Sequence, residues 1–89
     1  MRTQEEARKL GILRAQLKYK LICDGLIAED TQLILDDDKH FSFEYTTTIW
    51  YSGTIEYIIA WYTTELNETL MGYQLVDYHI HQSFLQGET

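Results

Sequence analysis

The chain has 89 residues, 45% of them hydrophobic and 24% charged, with one cysteine, no proline and a net charge of −7. That length supports one domain spanning 1–89 with a single modest core. The composition excludes a disordered chain, and a lone Cys23 excludes an internal disulfide. No apolar run is long enough to span a bilayer and no apolar leader opens the chain, so the expected setting is the cytoplasm, without membrane contact.

Charge is distributed unevenly. Residues 1–25 hold six of the seven Lys/Arg (Arg2, Arg8, Lys9, Arg14, Lys18 and Lys20) against three acids. Residues 26–89 hold Lys39 against eleven acids, together with eleven of the twelve aromatics. An acidic, aromatic-rich second part argues against direct nucleic-acid binding, because phosphate contacts need a basic footprint. It suits attraction to a basic protein surface.

The first predicted element is a basic amphipathic helix over about residues 4–23. Thr3 followed by Glu6 is a capping-box pattern, and Asp24-Gly25 supplies a stop. Leu10, Leu13, Leu17 and Leu21 fall on one stripe. Ile12, Ala15, Tyr19, Ile22 and Cys23 form a weaker second stripe. A helix with two apolar stripes asks for two packing surfaces, which makes Ile12, Tyr19 and Ile22 candidates for a homodimer interface. The helix with the Asp36–Lys39 tip loosely suggests a recognition helix and wing. The earlier helices of that motif are missing and the wing is acidic, so we reject it.

From Thr31 the residues are strand formers. Thr31–Leu35, an Asp36–Lys39 tip and His40–Tyr51 read as a hairpin. Ser52-Gly53-Thr54 reads as the next turn, Thr54–Leu66 as a third strand, 67–72 as a loop and Tyr73–Gln82 as a fourth strand. The third segment also fits a helical period, but its Thr, Tyr, Ile and Trp content favours strand. A three-residue turn at 52–54 pairs Tyr51 with Ile55 and Ile49 with Tyr57, keeping one coherent apolar face. The expected fold is α+β: one N-terminal helix on a four-stranded antiparallel meander.

That register leaves Trp50, Ile58 and Tyr62 on the outer face beside Glu44 and Glu56, an apolar centre with an acidic rim. These five residues are the expected partner-binding site. Other chemistry is weaker. Asp77, His79 and His81 have a spacing compatible with metal ligation, with His40 as a possible fourth ligand, yet a solvated strand face explains them better. Asp36-Asp37-Asp38 lacks the rest of a calcium loop, Cys23 lacks a partner histidine, and Glu44 with Glu56 is a poor acid–base pair. No phosphate loop is present.

The expectation is therefore a small non-enzymatic protein-binding module, an inhibitor or adaptor that needs no cofactor and docks a basic surface through its sheet. The alternatives are a nucleic-acid-mimicking inhibitor of a DNA-handling enzyme, of the phage anti-defence type, and a structural homodimer. A histidine metalloprotein stands last.

Overall fold

The computed structural model describes residues 3–85. Arg2 and Glu88, which contribute to the charge split, lie outside the described residues. Helix α1 (Gln4–Cys23) is followed by strands β1 (Leu33–Leu35), β2 (His40–Glu44), β3 (Ile49–Thr63) and β4 (Thr69–Leu85). The strands form one antiparallel sheet in the order β1-β2-β3-β4, so the architecture is α+β with a meander.

Local chemistry sets both ends of α1. Thr3 Oγ1 accepts from the Glu6 N–H at 3.1 Å, satisfying one of the otherwise unpaired first-turn donors. At the other end Gly25 takes φ +80°, and Leu26 N–H donates to Leu21 O while Gly25 N–H donates to Ile22 O. This is a Schellman cap, in which glycine adopts the left-handed conformation without a Cβ penalty.

Leu13, Leu17 and Leu21 are completely buried, with Leu10 and Ile12 packed beside them. Their counterparts on the sheet are Leu33, Leu35, Phe41, Phe43, Ile55 and Tyr73. The second helical stripe is thus divided. Ile12 belongs to the core and Ile22 is half-buried, whereas Ala15, Tyr19 and Cys23 face solvent.

The helix also reaches both edge strands. Arg14 Nε donates to the Leu33 carbonyl of β1 at 3.0 Å, and Lys9 Nζ bonds Asp38 at 2.9 Å. On β4, Arg8 donates to the Met71 carbonyl at 3.1 Å. The Gln16 amide donates to the Tyr73 carbonyl and accepts from the Leu75 N–H, both at 2.7 Å. Those two contacts are what a neighbouring strand would make, so side chains of α1 close part of an edge that would otherwise invite pairing.

Two predicted turns are misplaced. The strand expected over 40–51 breaks at 45–48, where Thr46 Oγ1 accepts from Thr48 and Ile49 N–H groups, and Tyr45 and Thr46 both donate to Ile49 O. A threonine hydroxyl builds this turn without glycine. Ser52-Gly53-Thr54, expected as a turn, instead runs through the middle of β3. A Cβ on Gly53 would sit 2.0 Å from the His79 carbonyl oxygen and 2.9 Å from Phe41 Cζ, so glycine is required there by close approach within the sheet.

The pairs expected from that turn are consequently wrong. Tyr51 pairs with Phe43 and Ser83, and Ile55 with Tyr78. The next turn spans 64–68, with Asn67 at φ +61°, so β4 starts at Thr69 within the segment expected to be loop. The strand reading of the third segment holds, in place of a helix.

Candidate docking surface on the outer sheet face

Alternation along β3 places Trp50, Ser52, Thr54, Glu56, Ile58, Ala60 and Tyr62 on the face away from α1, and Glu44 joins them as the cross-strand partner of Trp50. All five expected site residues therefore share one face, although the turn used to infer it was wrong. They do not form one patch. Eight residues at about 3.3 Å each separate Trp50 from Ile58 by roughly 26 Å, and Tyr62 lies farther still.

Trp50 is only 8% exposed and is not part of the main core. Its Nε1–H is buried without a hydrogen-bond partner among the described residues. A buried, unpaired indole is no ready surface anchor, so the expected role of Trp50 as the exposed centre of a patch is corrected. Glu44 and Glu56 are not opposed either. Glu44 faces Trp50, and Glu56 faces Asp77.

Phe84, opposite Trp50, and Ile34 are exposed on this face over the body, and a second exposed apolar group lies at the far end of the β3–β4 hairpin, which projects as an arm and contributes to the elongated 49 × 32 × 21 Å shape. Ile58, Tyr62 and Leu70 are exposed there, and Tyr62 pairs with Leu70. Gly72 sits opposite Ala60, and a Cβ built on it would meet Tyr62 Cε1 at 3.0 Å. The Tyr62 ring thus lies over the glycine, whose missing Cβ leaves room for it. Neither 57–64 nor 69–76 contains a charged residue.

Acids bracket the row. Glu65 and Glu68 stand in the arm's end turn, and Glu56 faces Asp77 where the arm meets the body. Like charges directly opposite on neighbouring strands repel. His79 Nε2 lies 3.8 Å from a carboxylate oxygen of each. Leu70, Gly72 and the Glu56–Asp77 opposition were absent from the sequence reading, because they depend on the true start of β4. The uncharged runs themselves were readable.

The remaining polar clusters have local explanations. His81 is displaced by a register shift in β4, and its Nε2 lies 2.7 Å from Thr54 Oγ1. No three His, Cys, Asp or Glu side chains among the described residues are arranged to hold a metal ion. Asp37 accepts from the Lys39 and His40 N–H groups at 2.8 and 2.7 Å and also contacts the His40 ring. These bonds, those from the backbone first, hold its carboxyl down at about 2.

Asp38 accepts from Lys9 and from the Tyr57 hydroxyl, which lowers its pKa. Tyr57 and then Asp38 keep Lys9 charged, raising its pKa. The acidic tip is accordingly built into the β1–β2 hairpin and its junction with α1. Cys23 is exposed at the end of the helix.

Among the described residues, no helix is long and apolar enough to cross a membrane. No protein-family model matches the chain, nor does any curated protein or solved structure.

Proposed function

We propose that the protein is a small acidic binding module, an inhibitor or adaptor, that docks a basic surface of another protein through the outer face of the β3–β4 arm. The observation that carries this reading is the uncharged Ile58, Tyr62 and Leu70 row, bracketed by Glu56–Asp77 and by Glu65 and Glu68. An apolar centre with a charged rim is the usual anatomy of a protein interface. The ring of Tyr62, lying over Gly72, offers an exposed aromatic anchor. A cationic group between Glu56 and Asp77 would relieve their repulsion, so complementarity favours a basic partner. Binding, and no reaction, is the proposed activity.

Immobilised protein should retain a basic partner from extract of the native cell. Ile58→Ala with Tyr62→Ala should abolish retention, while Glu56→Gln with Asp77→Asn should weaken it most at low salt. Retention unaffected by either pair would overturn this reading. Competition by DNA for the captured protein would turn it toward nucleic-acid mimicry.

A further inference from the structure

We infer that His79 makes docking at this face pH-dependent, its protonated ring competing with a partner's cation for Glu56 and Asp77. Such regulation rests on the proposed function, because it acts at the acidic end of the same docking row. The register sets Glu56 against Asp77 and Thr54 against His79, so His79 stands diagonal to Glu56 and two residues beyond Asp77 on its own strand. From there its Nε2 lies 3.8 Å from Glu56 Oε1 and 3.8 Å from Asp77 Oδ2. The other Asp77 oxygen accepts from the Tyr78 N–H at 2.8 Å. Both separations from His79 are too long for a hydrogen bond, so the charge on the ring decides the interaction. All three side chains are half exposed or more, within reach of a partner.

The surrounding groups leave this role to His79. Among the described residues, no Lys or Arg forms an ion pair with Glu56 or Asp77. On β4 the His81 ring stands 6.4 Å from that of His79, but its Nε2 is tied to Thr54 Oγ1. On β2, His40 stands on the far side of Thr54 and contacts Asp37. Helix α1 packs on the opposite face of the sheet.

Histidine is the side chain that ordinarily changes charge between about pH 5 and 8. A neutral His79 leaves two opposed carboxylates, whose repulsion a partner's Lys or Arg relieves. A protonated His79 supplies that positive charge from within the chain. It also repels a second cation brought to the same oxygens. Exposed ion pairs are individually weak, so two of them shift affinity by about threefold to tenfold and do not switch it off. Acidification should therefore loosen docking.

Titration of the isotope-labelled full chain with an oligoarginine peptide, with affinity read from the Glu56 and Asp77 amide signals, tests the device. The peptide should bind about threefold to tenfold more weakly at about pH 5.5 than at about pH 7.5. His79→Gln should remove most of that difference, His81→Gln should keep it, and His79→Lys should bind weakly at both pH values. Ile58→Ala with Tyr62→Ala should leave peptide affinity unchanged, so a failed partner capture and a failed pH response are told apart. No response of Glu56 and Asp77 at about pH 7.5, wild-type affinity that does not fall with pH, or an equal fall in His79→Gln would overturn the proposal.

Discussion

The body of the sheet and the arm that leaves it are built from the same residue types, yet they are held by different means. In the body, Leu13, Leu17 and Leu21 fill the space over Phe41, Phe43 and Ile55, and α1 side chains fasten backbone groups of both edge strands. In the arm, β3 and β4 pair only with each other, and Ile58, Ile59, Trp61 and Tyr62 stay exposed. An isolated two-stranded hairpin is at best marginally stable in water. Apolar content alone does not make a core. A strand becomes interior only where a second layer covers it, and uncovered apolar strand is material for an interface.

The largest test of that contrast is a pair of truncations. Leu17→Ala, in the fully covered stripe, should cost about 2–5 kcal/mol in urea unfolding. Trp61→Ala removes a larger side chain but should shift the monomer's stability by no more than about 0.5 kcal/mol. Equal losses would mean the arm is packed as tightly as the body.

Glycines give the next comparison. Gly53→Ala drives a Cβ into the His79 backbone, and overpacking of this kind costs about 1–3 kcal/mol. Gly72→Ala meets only the edge of the Tyr62 ring, which can swing aside, and should cost about 0.5 kcal/mol or less. The second variant should nevertheless weaken partner capture by displacing the Tyr62 ring.

Those glycines also show what the sequence conceals. The helix was legible to the residue, because Thr3, Glu6, Asp24 and Gly25 act through bonds within a few positions of themselves. Gly53 was misread because its reason is a carbonyl 26 residues away. The turn at 45–48 was hidden because threonine is both a strand former and, through its hydroxyl, a turn builder. The two faces survived these errors because β3 is continuous, so the odd and even rows kept their sides. The burial of Trp50 and the distance between it and Tyr62 were not legible, since both depend on where strands begin and on how far α1 reaches.

Edge protection distinguishes the regions on a smaller scale. Gln16→Ala leaves the Tyr73 carbonyl and Leu75 N–H without their side-chain partner, which should cost about 1–3 kcal/mol. Hydrogen exchange at the Leu75 amide should accelerate by a larger factor than exchange elsewhere in β4. Exchange that stays unchanged at Leu75 would show that Gln16 does not close this edge.

Acid gives the finest separation, since the carboxylates with lowered pKa, Asp37 and Asp38, lie at the β1–β2 tip, outside the uncharged runs 57–64 and 69–76. Asp37 is held at about 2, below the roughly 3.9 of an unfolded aspartate, by N–H donors from Lys39 and His40. A depressed pKa means that its stabilisation is complete above about pH 4 and is lost as pH falls toward 2. Asp38, lowered by Lys9 and Tyr57, acts in the same direction. Both carboxylates border on solvent, so water screens the effect and keeps it small. Amide protection at Lys39 and His40, corrected for intrinsic exchange, should therefore decline between pH 4 and 2 while protection at Ile58 and Ala60 stays level. Asp37→Ala should remove the pH dependence at the tip. If the arm's amides lost protection first, the β1–β2 tip would not be the acid-sensitive part of the fold, and the division between a fastened body and a free arm would have to be redrawn.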